Sequence, residues 1–161
     1  MPITRSLEFV TNLAVLAAAV TVIFYNVGPR PTPSPSGSPP YSLGDKIKET
    51  AELKFVGDTF LLATASSCRF CTESMPFYRR LVASGARVIA VTREPVEQNK
   101  AYLKSHDVAP AMVLSATANG LDVRGTPTLL LVDAQGVVRG TWRGKQDLKG
   151  EADVLSKRRS K

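Results

Sequence analysis

Both cysteines of the chain fall in one short stretch, ATASSCRFCTESMPF, Ala63 to Phe77. They are spaced Cys-x-x-Cys, as Cys68-Arg69-Phe70-Cys71, and the segments on either side read as different structures. TFLLATAS (Thr59–Ser66) is an apolar run of strand length, of the kind buried on both faces. From Arg69 to Ala83 the apolar residues Phe77, Tyr78, Leu81 and Val82 recur on one face of a helix. A cysteine pair at a strand-to-helix junction can hold a metal, form a structural clip or exchange electrons.

The remaining pattern extends the same architecture. RVIAVT (Arg87–Thr92) reads as a second strand, and Pro95–His106 as a helix with proline in its first turn. Ala111–Leu114 reads as a short strand, TLLLVD and VVRGTW as a hairpin around AQG, and Gln146–Ser156 as a last helix. No internal repeat interrupts the series. The expectation is an α/β domain with a mixed sheet, spanning residues 44–155.

The two ends differ from this domain. From Phe9 to Val27 no residue is charged, and as a helix the run is roughly long enough for a hydrocarbon core. Residues 1–28 are therefore expected to form an uncleaved membrane anchor, in preference to a cleaved signal peptide or a buried core helix. The lone Arg5, offset by Glu8, leans only slightly towards a cytoplasmic N-terminus. Residues 29–43, rich in proline and serine, read as a semi-stiff spacer, since proline removes backbone donors and favours extended chain. The net charge is +7, with a basic excess near the C-terminus. Without interleaved aromatics, residues 156–161 (SKRRSK) read as a solvated tail and not as a nucleic-acid site.

Ligand counting bears on the cysteine question. Tetrahedral zinc needs four ligands, and the chain offers two cysteines and one histidine, His106, which is read as a surface residue at a helix end. Two thiolates suffice for copper(I), so a metallochaperone stays open as the alternative. Two cysteines are too few for a disulfide-stapled scaffold, and a domain of this size does not need a clip. Electron exchange fits the position. Cys68 would sit at the helix N-terminus, where unpaired N–H groups and the dipole favour a thiolate, with Arg69 beside it and Ser66 or Ser67 as cap. Cys71, one turn further in, would be more buried and would resolve the mixed disulfide formed by Cys68.

Two further features narrow the reading. Pro76 lies inside the helix, where it would kink it, and VRGTPTLLLVDAQG (Val123–Gly136) places Thr126-Pro127 directly before a strand. With these, the chain from Gly44 to Leu155 resembles the thioredoxin fold, and within it the membrane-anchored TlpA-like or ResA-like thiol–disulfide oxidoreductases. The resemblance implies a sheet flanked by helices, Pro127 in the cis form facing the cysteines, and a substrate groove at Thr126, Pro127, Arg69 and Phe70. It implies an extracytoplasmic domain that reduces disulfides of partner proteins. Cytochrome c maturation is one family role, an electron-donating membrane thiol protein is a further expected partner, and no cofactor is expected.

The sequence departs from these relatives in places. Ser67 stands where they carry tryptophan, and Leu62 where thioredoxins bury an acidic residue. Glu73 is the remaining candidate for proton handling. A peroxide-reducing relative would want a Pro-x-x-x-Thr-x-x-Cys arrangement, but Leu61 and Ala65 occupy those positions. A non-catalytic member of the fold would be expected to have lost a cysteine, and both are present.

Overall fold

The computed structural model describes residues 41–158. The expected anchor, most of the spacer and the end of the basic tail lie outside them. Among the described residues the order is β1 (Thr59–Ala63), α1 (Arg69–Ala83), β2 (Arg87–Thr92), α2 (Val96–Ser105), β3 (Met112–Ser115), β4 (Thr128–Val132), β5 (Val138–Arg143) and α3 (Leu148–Arg158).

The five strands form one mixed sheet in the order β3-β2-β1-β4-β5. β1, β2 and β3 run parallel, and β4 and β5 are antiparallel to their neighbours. β1, β2 and β4 occupy the centre and are buried along almost their whole length, which is why they read as continuous apolar runs. The apolar run from Thr59 ends as a strand at Ala63, three residues earlier than the pattern suggested. Thr64 N–H still reaches Val91 O of β2 at 3.2 Å, while its hydroxyl bonds to Asn99 and Ser66 turns to Glu94.

Alternation along β1 sends Phe60 and Leu62 to one face and Leu61 to the other, and a separate core forms on each. The first core gathers Tyr78 and Leu81 of α1, Leu103 of α2 and Val154 of α3 around Phe60, Leu62 and Cys71. All three helices thus share one face of the sheet. The steps β1-α1-β2 and β2-α2-β3 advance in the same direction, so right-handed crossovers place both helices on the same side. The opposite core is closed by irregular chain, with Ile47, Leu53 and Phe55 from before β1 and Ala116 and Leu121 from after β3. Ile47 N–H reaches Gly136 O at 2.8 Å, and Lys46 bridges to Val137, which ties this leading segment to the start of β5. α1 continues through Pro76 to Ala83, so the proline expected to kink the helix does not end it.

Register places the site. Ala63 pairs with Thr128, so the residues just before β4 lie beside the chain leaving β1. The C-terminal end of parallel β2 opens at the same edge. Crevices at this end of a parallel sheet are where α/β proteins carry their sites.

Candidate functional site

Cys68 is the N-cap of α1, with extended backbone (φ −88°, ψ 106°) and its Sγ accepting the Cys71 N–H at 3.1 Å. The expected cap, Ser66 or Ser67, is displaced by the cysteine itself. Ser66 is bonded to Glu94 instead, and Ser67 is exposed. A sulfur in the cap position receives the helix N–H groups that would otherwise lack partners, and these stabilise a negative charge. On its other side Cys68 Sγ donates to Thr126 O at 3.3 Å.

The two thiols are free and unlike each other: Cys68 is half-buried and Cys71 fully buried. Burial pushes the Cys71 thiol up to about 12. The hydrogen bond with Cys68 and that sulfur's charge add to the rise, while the Ala65 backbone N–H and Thr126 oppose it. The accessible thiol is therefore the one at the helix terminus, and the protected thiol keeps its proton until its surroundings change. This is the asymmetry expected of an attacking and a resolving cysteine.

Thr126-Pro127 is a cis peptide, with Thr126 half-buried and Pro127 buried, and it faces the pair through the Cys68–Thr126 bond. Phe70, 56% exposed, presents an apolar ring next to Cys68. Arg69 is exposed too, but its Nε donates to Glu73 Oε1 at 2.8 Å, so its charge is turned along the helix.

Glu73 is held from both sides. Lys145 Nζ lies 3.0 Å from the second carboxylate oxygen, and hydrogen bonds from Lys145 and Arg69 hold the carboxyl below its usual range. A carboxylate kept ionised by two cations is poorly suited to trading protons with a thiol that titrates near 12. Leu62 is fully buried in the same core as Cys71, so the place of the acidic residue of thioredoxins is filled by hydrocarbon. His106 caps the C-terminus of α2, with its ring edge-on to Tyr102 at 5.1 Å.

Glu94 and Asn99 were not singled out by sequence reasoning, and both hold the chain that leads from β1 to the pair. Glu94 follows β2, and its carboxylate accepts from Ser66 N–H and Ser66 Oγ, each at 2.9 Å. Asn99 Nδ2 reaches Glu94 Oε1 at 2.8 Å, and Thr64 Oγ1 donates to Asn99 Oδ1 at 3.2 Å. Burial opposes ionisation of Glu94, but the bonds from Asn99 and Ser66 prevail and hold its carboxyl below the usual range. The available signals were a carboxylate just past the C-terminal end of a parallel strand and an asparagine on the buried side of a helix. A cleft of about 210 Å³ opens here, walled by Ala65, Arg93, Glu94, Val123, Gly125 and Thr126.

No protein-family model matches the sequence, and no curated protein matches it. Solved structures do match. StoA from Bacillus subtilis is similar with a TM-score of 0.53 at 16% identity, over 71% of this chain and 93% of that one. A thiol-disulfide isomerase from Corynebacterium glutamicum is similar with a TM-score of 0.54 at 15% identity, over 75% and 96%. A thioredoxin-family thiol:disulfide interchange protein from Chlorobium tepidum has a TM-score of 0.51 at 17% identity, over 63% and 79%. The fold is thioredoxin-like, and it carries a Cys-x-x-Cys pair at the N-terminus of its first described helix.

Proposed function

We propose that this chain is a thiol–disulfide oxidoreductase that reduces disulfides of partner proteins. One observation carries the reading: a half-buried Cys68 caps α1 and faces the Thr126-Pro127 loop, with a fully buried Cys71 one turn behind it. The Cys68 thiolate attacks one sulfur of the partner disulfide. A Cys68–partner S–S bond forms, and the other partner sulfur leaves as a thiolate and takes a proton. Cys71 then gives up its proton and attacks Cys68 Sγ. The Cys68–Cys71 bond forms, the second partner sulfur departs, and the partner has gained two electrons that the pair has lost.

The finer reading is a membrane-tethered reductant on the extracytoplasmic side, recharged by a membrane thiol protein, with apocytochrome c among its substrates. Its support is the uncharged run Phe9–Val27 followed by the proline- and serine-rich spacer. Those residues lie outside the described ones, among which no helix is long and apolar enough to cross a membrane.

Equilibration of the full chain in detergent with glutathione buffers tests the direction of electron flow. A potential near that of thioredoxin, about −270 mV, is expected, and one near about −120 mV would make the chain an oxidant.

A further inference from the structure

The cleft of about 210 Å³ beside the cysteine pair shares a wall with the reactive sulfur. Thr126 lines it, and the Thr126 carbonyl is the group that accepts the Cys68 S–H at 3.3 Å. A partner whose sulfur reaches Cys68 thus brings the residues flanking that sulfur to the mouth of the cleft. Ala65, Val91 and Val123 give the cleft apolar walls, and Arg93 and Glu94 supply its charges.

These two charges are not equally available. Glu94 accepts from Ser66 N–H and Ser66 Oγ, each at 2.9 Å, and from Asn99 Nδ2 at 2.8 Å, so its carboxylate is satisfied from within the fold. Arg93 is exposed and, among the described residues, has neither a hydrogen bond nor a salt bridge. Asp122, whose charge Arg93 feels, is taken by Arg124, whose Nε donates to its two oxygens at 3.0 and 2.9 Å. Arg69 and Lys145 are likewise committed, both to Glu73. Arg93 therefore brings a guanidinium with open donors to the cleft, and its planar fork matches a carboxylate.

We propose that Arg93 is a specificity-determining residue, which recognises an aspartate or glutamate flanking the disulfide cysteine of the partner protein. The inference rests on the exchange reading above and names the substrate class for it. The apolar walls suit the methylenes of such a side chain, and the exposed guanidinium suits its charged end.

The test uses the full chain, reduced, in detergent at about 0.1 M salt, where charges more than about 10 Å apart are largely screened. The probes are two disulfide-linked peptide dimers, one of acetyl-Glu-Cys-Glu-amide and one of acetyl-Gln-Cys-Gln-amide. Release of peptide thiol is followed by acid quench and chromatography. Acidic neighbours alter the reactivity of any disulfide, so the quantity compared between proteins is the Glu-to-Gln rate ratio. Arg93→Gln is expected to lower that ratio by about three- to fivefold, the upper range for a partly exposed ion pair. Arg93→Glu should lower it further, since a like charge then faces the substrate. Arg79→Gln removes the same charge about 15 Å along α1 from Arg69, and should change the ratio by less than about 1.5-fold.

A ratio unaltered by Arg93→Gln would overturn the recognition role, even if both peptides reacted more slowly. An equal fall in Arg79→Gln would overturn it too, by tracing the preference to net charge, and so would an Arg93→Glu ratio no lower than that of Arg93→Gln. Failure of the unsubstituted chain to release thiol from either peptide would instead overturn the exchange reading, and this inference with it.

Discussion

Cys68 Sγ lies 3.3 Å from the carbonyl oxygen of Thr126, fifty-eight residues away in the chain, and donates a hydrogen bond to it. The contact follows from strand register. β4 runs antiparallel to β1 with Thr128 opposite Ala63, so the chain entering β4 meets the chain leaving β1. The attacking sulfur is thus set between the N-terminus of α1 and a carbonyl that accepts its S–H hydrogen bond.

The position of that carbonyl depends on Gly125, whose φ of +121° lies where side chains are strained. Gly125→Ala should cost about 1–3 kcal/mol in stability and also slow the first attack on a model disulfide, because the loop carrying Thr126 must shift. Gly120→Ala serves as the control. Its φ is +63° with open space around the added carbon, so it should cost stability without altering that rate. Paired urea titrations and stopped-flow kinetics distinguish the two.

Leu62 is fully buried against the core that holds Cys71. Leu62→Ala should lower unfolding free energy by about 2–5 kcal/mol through the cavity it leaves. Leu62→Asp restores the acidic residue that thioredoxins place here, but into surroundings built for a leucine. Its carboxyl would have a folded-state pKa above the unfolded value of about 3.9, so stability should be retained below that pH and lost as pH rises. Urea midpoints at acid and neutral pH would show that trend, and an Asp variant as stable as the parent at neutral pH would count against a dry apolar site.

Burial raises Cys71 to about 12, and it raises Tyr78 in the same direction. A raised folded-state pKa gives stability that is complete below the unfolded value, about 8.5 for cysteine, and is lost as pH climbs through the folded one. The reduced protein should therefore weaken between about pH 9 and pH 12, and Cys71→Ala should flatten part of that slope. Denaturant midpoints across the alkaline range check this.

Much of this structure is legible in the sequence, because the central strands are apolar runs and α1 has a clear helical pattern. Arg69–Ala83 and Arg87–Thr92 are found as the pattern places them. The cysteine pair and Thr126-Pro127 are visible as motifs, and the fold brings them together. Other relationships depend on contacts between distant segments. The cap at Cys68 could not be told from one at Ser66 until Glu94, twenty-eight residues on, was seen to hold that serine. Asn99 reads as one polar residue in a helix until register sets it beside Thr64. Irregular chain over the second face carries no periodicity from which its packing could be read.

The most direct measurement of the central claim is trapping of partner disulfides by single-cysteine variants of the full chain. With Cys71→Ser, the mixed disulfide formed at Cys68 cannot be resolved, so adducts with partner proteins should accumulate and disappear on reduction. With Cys68→Ser, the buried Cys71 should form almost none. Adducts that form through Cys71 and do not require Cys68 would contradict the account.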